Sequence, residues 1–392
     1  MCQNAVRPSV QLLLQRLKGW EAVVAKGSHK VLQSIRRCRT SALGYHAYRC
    51  SDSECGTMHY QYHSCRNRHC PHCGESKKEA WIEARIRELL PVQYYHMVFT
   101  LPHQLNSIVM GNRKVLFNLL FEASSYTLLK FAGDEQYLGA APGIISVLHT
   151  WGQQLSFHPH IHSIVSGGGM TSKGTWKDAL KVKHGLLFPV KAMRVVYRSY
   201  FLQQLQKKVQ DGTIKLTDMQ QRSWQQVRCE LYKTEWIVYA KQPFGGPAQV
   251  VEYLGRYTHK VAISNHRIRA VDQSCNVSFE YKDYADAGKK KLMTLSGLEF
   301  LRRFEQHILP KGFVKIRSYG YLGNYKRKQR VNDILKAMKK PQHPAVVKIP
   351  TALRMLERYG KDISLCPACK KAKLELLYVR QLKATSREVL KE

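Results

Sequence analysis

The spacing of apolar positions changes period several times along the chain. Over residues 8–37, Leu12, Leu13, Leu14, Leu17 and Val23 recur at helical spacing on one broad face. A second helical stretch, Ser76–Leu90, stops at Pro91. The pattern then shortens to period two. Tyr94–Leu101 is rich in aromatic and β-branched residues, reads as a strand and ends at Pro102. A helix is predicted over Leu105–Lys130. Ile144–Trp151 and His160–Val165 read as two strands joined by a turn at Gln153–Phe157, an antiparallel hairpin whose second strand is broken by Gly167-Gly168-Gly169. Helices follow over Ala192–Val209 and Met219–Leu231, then a strand over Glu235–Lys241. Pro247 can open a helix running to about His259. From Val261 through Tyr281 the pattern is β again. A last helix, Ser296–His307, precedes a basic strand-and-turn region over 313–330. No internal repeat or low-complexity tract interrupts this order. The expected class is α+β, organised as residues 1–90, 91–285, 286–345 and a basic tail, 346–392.

Charge narrows the reading. Lys and Arg number 63 against 28 Asp and Glu, a formal net charge of +35. The excess is +8 over residues 1–90, +12 over 91–310 and +15 over 311–392. A surplus in every segment is not one basic tail; it fits a long polyanion, nucleic acid above all, crossing several segments. A hydrophobic content of 44% argues against wholesale disorder, and no apolar run approaches a membrane span. The first sixteen residues carry no secretory pattern, so the expected location is the cytoplasm, in association with the nucleoid.

Six of the 11 cysteines lie between residues 38 and 73, among histidines. In a reducing compartment such clusters bind metal rather than form disulfides. Cys50 and Cys55, with Cys70 and Cys73, are two close pairs fourteen residues apart, suited to a closed tetrahedral Zn2+ site of structural type. Cys38, His46, Cys65 and His69 remain. Cys65 and His69 are four apart and could share a second, interleaved zinc, although histidines in a basic segment also contact phosphate. Cys366-Pro-Ala-Cys369 is half a site with no obvious second pair nearby.

The second constellation is His158-Pro159-His160-Ile161-His162. On a strand, His160 and His162 share a face. A hairpin turning near Leu155 brings His149 opposite residues 160–162. Three histidines with open positions make a catalytic rather than a structural metal site. The third constellation is Tyr253 and Tyr257 on the predicted helix, one turn apart on one face, beside Arg256 and Lys260. A phenol is a usable nucleophile once its phosphodiester target is polarised. Metal, tyrosine and polyanion together suggest attack on a phosphodiester, with one DNA end held covalently and its bond energy kept for rejoining.

These stretches resemble the rolling-circle HUH transposases of the two-tyrosine insertion sequence 91 family. The resemblance runs over residues 35–330, through Cys65–Cys73, Val98–His103, Leu148–Gln153, His158–His162 with Gly167–Gly169, Tyr253–Ser264, Tyr281–Tyr284 with Lys289–Lys291, and Gly312–Arg317 with Tyr319-Gly320. It implies an HUH-type antiparallel sheet with flanking helices behind an N-terminal zinc-binding module formed by Cys50, Cys55, Cys70 and Cys73. His160 and His162 would hold Mg2+ or Mn2+, and Tyr253 and Tyr257 would be the nucleophiles. The third ligand would be His149 or, as second choice, Gln153. The implied substrate is single-stranded DNA at element ends, cut through a 5′-phosphotyrosine. Arg66, Arg68, Arg256, Lys260, Lys289, Lys290, Lys291, Arg317, Lys326 and Arg327 are the candidate nucleic-acid contacts. Other readings stay open: a relaxase or replication initiator with the same chemistry, a non-catalytic zinc protein that binds nucleic acid, or a zinc hydrolase in which the tyrosines are dispensable.

Overall fold

The computed structural model of the chain describes residues 7–73, 75–179, 186–241, 249–250, 253, 255, 261–343 and 349–381. In chain order its strands are β1 (Tyr45–Cys50), β2 (Met58–Tyr62), β3 (Tyr94–Thr100), β4 (Ala141–Trp151), β5 (Phe157–Met170), β6 (Trp176–Asp178), β7 (Val238–Lys241), β8 (Ile268–Val271), β9 (Val277–Asp283), β10 (Lys289–Leu295), β11 (Ile316–Tyr319) and β12 (Leu374–Arg380). The expected α+β class holds: antiparallel sheets carry flanking helices.

The main sheet has the order β11-β4-β5-β3-β7, with β6 pairing the far end of β5. Every pairing is antiparallel. Alternation along the strands divides its two faces. Met97, Phe99, Leu148, Ile161 and Val165 enter the largest core, under the helices Arg113–Gly133 and Val190–Gln210. Tyr94, Ile145 and Ile164 belong to a second core with Leu322, in the turn before the helix Arg327–Ala337, and with Val331 of that helix. The histidine constellation lies in register on this second face.

Several elements depart from the sequence pattern for local reasons. Gly19, at φ +71°, splits the N-terminal stretch into helices Val10–Arg16 and Lys26–Arg36. Asn112 splits the next long helix into Asn106–Gly111 and Arg113–Gly133. Its amide donates to the carbonyls of Ile108 and Lys215 and its oxygen accepts from the Lys215 amide. The glycine triplet does not break its strand: β5 runs through Gly167–Gly169 to Met170. A Cβ on Gly168 would stand 2.3 Å from the Trp176 ring, and one on Gly169 2.6 Å from the Ala141 carbonyl. These glycines allow close approach where a side chain would clash.

In the three-stranded sheet β8-β9-β10, strands β9 and β10 are joined by a turn at Tyr284–Asp286. This sheet packs on the N-terminal helices, with Leu13, Trp20 and Ile35 meeting Ile268, Phe279 and Phe300 in one core. The remaining sheet has the order β12-β1-β2, so the tail returns to pair with β1 near the start of the chain. Among the described residues no helix is long and apolar enough to cross a membrane.

Candidate active site and thiol clusters

The β4–β5 hairpin brings the three histidines together by register alone. It reverses over Gly152–Ser156, where Leu155 adopts φ +59°. His149 therefore pairs with His160, and Val147 with His162. Directly opposed residues share a face, as do residues two apart on β5. The three imidazoles meet with centroid separations of 5.5 Å (149–160), 4.7 Å (149–162) and 4.8 Å (160–162). One ring nitrogen from each lies within 4.8 Å of the others. Burial pushes the pKa of His160 down to about 4, so its ring is neutral and can donate a lone pair. Its Nδ1 hydrogen-bonds the His158 carbonyl at 2.6 Å, which leaves Nε2 as the ligating atom. Trp151 stacks on His149 at 4.6 Å and closes one side. Gln153, the alternative third ligand, is turned elsewhere: its side chain meets the Tyr284 hydroxyl and the Lys282 amide.

One residue at this site escaped the sequence reading. His96, in the middle of β3, is buried, and its Nε2 lies 2.9 Å from Nδ1 of His162 with the rings nearly parallel. The hydroxyl of Tyr253 lies 3.2 Å from both ring nitrogens of His96. Burial, reinforced by Lys241 and His160, pushes the His96 pKa down to about 3. His96 thus bridges the histidine cluster and Tyr253. The signal for it was its period-two spacing from Val98 and Thr100, which pair with His162 and His160. Tyr257, Arg256 and Lys260 lie outside the described residues.

Among the described residues eight cysteines form two groups, and neither is the set inferred from spacing. Cys70 and Cys73 join Cys38 and Cys65; Cys50 and Cys55 join Cys366 and Cys369. In the first group the sulfurs of Cys38 and Cys73 are 3.4 Å apart and those of Cys65 and Cys73 3.6 Å. In the second, Cys50 and Cys369 are 3.7 Å apart and Cys55 and Cys366 3.9 Å. The β1–β2 hairpin explains the correction. Cys50 and Cys55 sit at its turn, whereas Cys38 and Cys65 flank its open end. Strands of this length, at ~3.3 Å per residue, hold the ends on the order of 17 Å apart. No ion could span that. The interleaved set with His46 and His69 fails as well. His46 Nδ1 meets His63 Nε2 at 3.0 Å. His69 spends Nε2 on the Leu309 amide and Nδ1 on Asn67, and burial pushes its pKa down to about 3.

The candidate phosphate contacts divide. Arg68 donates to the carbonyls of Phe313 and Pro310, which ties the first thiol group to that loop. Lys289 and Lys291 pair with Asp286, and Lys291 also with Asp283. Arg66 and Lys290 are exposed. Arg317 donates to Asn118 and stacks over Phe121, Arg327 pairs with Glu88, and Lys326 lies over the Tyr325 ring. Arg317 and Arg327 line an open cleft shared with Arg85, Lys114, Trp81 and Tyr319.

Comparison with known proteins places the chain among transposases. A family model described as "Transposase zinc-binding domain" matches residues 13–101, and one described as "Putative transposase" matches residues 143–330. The "Putative transposase y4qJ" of Sinorhizobium fredii is 40% identical over 364 residues, covering 90% of this chain and 89% of that protein. The transposase for insertion sequence element IS801 of Pseudomonas savastanoi pv. phaseolicola is 30% identical over 306 residues, covering 77% and 72%. The solved structure of TrwC complexed with a 27-mer DNA is a slight likeness, with a TM-score of 0.21 at 18% identity over 29% of this chain and 44% of that one. The chain belongs to the insertion sequence 91 family of transposases and carries the zinc-binding domain of that family.

Proposed function

We propose that this transposase cuts and rejoins single-stranded DNA through a 5′-phosphotyrosine, at a divalent ion held by His149, His160 and His162, and so drives rolling-circle transposition. The observation that carries this is the meeting of three imidazoles on one sheet face, one buried ring away from the Tyr253 hydroxyl. The donor set fits a divalent ion: three imidazoles, that of His160 held neutral by burial, with open positions beside them, is the pattern of a catalytic site. Bound there, Mg2+ or Mn2+ would supply Lewis acidity to the scissile phosphate.

The chain's own residues do the rest. The oxygen of Tyr253 or Tyr257 forms a bond to phosphorus while the bond to the 3′ oxygen breaks. The phenol loses its proton and the 3′ oxygen gains one. His96 orients both partners, holding Nδ1 of His162 and meeting the hydroxyl of Tyr253. Reversal by a free 3′ end rejoins the strands without another energy source. Two nucleophiles allow a second end to be cut while the first is held. The basic cleft lined by Arg85, Lys114, Arg317 and Arg327, with Trp81 and Tyr319 as stacking surfaces, supports an unpaired strand as substrate. Cys38, Cys65, Cys70 and Cys73 are the proposed structural zinc ligands of the N-terminal domain. The test is a nicking assay on single-stranded oligonucleotides bearing an element end. Cleavage should need the divalent ion and both His160 and His162. Metal-dependent cleavage by His160→Ala/His162→Ala overturns the assignment, and equal cleavage of linear duplex overturns the substrate.

A further inference from the structure

We propose that Cys50, Cys55, Cys366 and Cys369 form a second zinc site, and that its ion fastens the C-terminal tail to the N-terminal sheet. The sulfur geometry fits a metal. Four thiolates at the usual ~2.3 Å from zinc stand about 3.8 Å from one another in a tetrahedron. The separations here are 3.7 and 3.9 Å, far longer than the ~2.05 Å of a disulfide. The local backbone is built for it as well. In Cys366-Pro-Ala-Cys369 the Lys370 amide returns to the Cys366 carbonyl at 2.8 Å, and Lys370 takes φ +59°. The other thiol group holds the matching Cys70-Pro-His-Cys73, with the Cys73 amide on the Cys70 carbonyl. Each group thus takes one Cys-Pro-x-Cys turn and two further cysteines.

The described part of the tail has few other anchors. Among the described residues of 349–381, Cys366 is the only buried one. Helix Thr351–Tyr359 meets the rest of the protein through polar contacts, Tyr359 to Glu79 and Arg354 to Glu83. Strand β12 adds its pairing with β1, and the Ser51 amide reaches the Lys373 carbonyl. Closing a loop of more than 300 residues costs entropy that a solvent-exposed strand and a few polar contacts offset poorly; an ion bound by four thiolates offsets it readily. The matched zinc-binding domain ends at residue 101, so half of this ligand set lies outside it.

The experiment follows cysteine alkylation by mass spectrometry in the zinc-loaded, full-length protein, with exposed Cys229 as the internal reference. Cys50, Cys55, Cys366 and Cys369 should react at least tenfold more slowly than Cys229 and should be released together by a chelator. In Cys366→Ser/Cys369→Ser, bound zinc should fall by one equivalent per chain. Cys50 and Cys55 should then become reactive while Cys38, Cys65, Cys70 and Cys73 stay protected. Cys369→His, which keeps four ligands, should restore protection of Cys50. Reaction of Cys366 and Cys369 at the Cys229 rate in the zinc-loaded protein overturns the proposal. So does protection that survives chelation, unchanged zinc content in the double variant, or failure of Cys369→His to protect Cys50. None of these readouts depends on DNA cleavage.

Discussion

The histidine cluster and the thiol clusters both gather ligating side chains, but over very different lengths of chain. His149, His160 and His162 come from one hairpin, and strand register alone sets them side by side. The eight thiols come from residues 38 to 369, and a rigid hairpin decides which may meet. Short-range period fixes the first arrangement; long-range topology fixes the second. The difference implies separable failures: the histidine site should lose chemistry without losing structure, and the thiol sites the reverse.

The largest effect on cleavage should come from His160→Ala or His162→Ala. Removing a proposed ligand should forfeit several kcal/mol of transition-state stabilisation, roughly 10³-fold or more in cleavage rate. The melting temperature and the salt dependence of DNA binding should stay near wild type. Cys70→Ser should do the opposite. Cys70 is fully buried and its ion is worth on the order of 10 kcal/mol in such sites. Zinc should be released and residues 38–73 should lose protection from hydrogen exchange. A variant that keeps its zinc and its melting temperature would remove Cys70 from the ligand set.

His96→Ala sharpens the comparison, because His96 touches both His162 and Tyr253. As a positioning residue it should cost about 10–100-fold in cleavage. It should also shift the ratio of adducts away from Tyr253, which a merely structural defect would not do. His96→Gln should recover part of the loss.

An effect on stability alone, with none expected on the chemical step, concerns pH and His307, which packs beneath the hairpin turn. It accepts from the Thr150 hydroxyl and donates to the Leu155 carbonyl, and burial pushes its pKa down to about 4. Because the folded value lies below the unfolded one of ~6.5, the neutral ring contributes full stability above that pH. The contribution is lost as pH falls towards 4, up to roughly 3 kcal/mol at ~1.4 kcal/mol per unit. His307→Gln should flatten denaturation midpoints between those limits. A slope equal to wild type would assign the acid sensitivity to other groups.

Much of this was legible in the sequence, and what was not has a physical reason. The hairpin turn near Leu155 and the facing of His149 with His160 follow from alternation, and the structure has that register. The reading of Gly167–Gly169 as a break missed that Trp176 and Ala141 press on those backbones, which is tertiary crowding with no local signature. Pairing Cys50 and Cys55 with Cys70 and Cys73 assumed that nearness in sequence meant nearness in space. The repeated Cys-Pro-x-Cys turn was the available clue that each group takes one copy. His96 stood beside the strand motif but alone, and only the pairing of β3 with β5 gives it neighbours.

The central claim is a covalent bond between the chain and a DNA 5′ end at this site, and adduct mapping tests it most directly. Wild-type protein incubated with a cleavable single-stranded end and Mg2+ or Mn2+ should yield phosphotyrosyl peptides at Tyr253 and Tyr257. Tyr253→Phe and Tyr257→Phe should each leave the other adduct, and the double variant none, while still binding DNA. Attachment only at another tyrosine, such as Tyr284, or an adduct that persists in the double variant, contradicts the account.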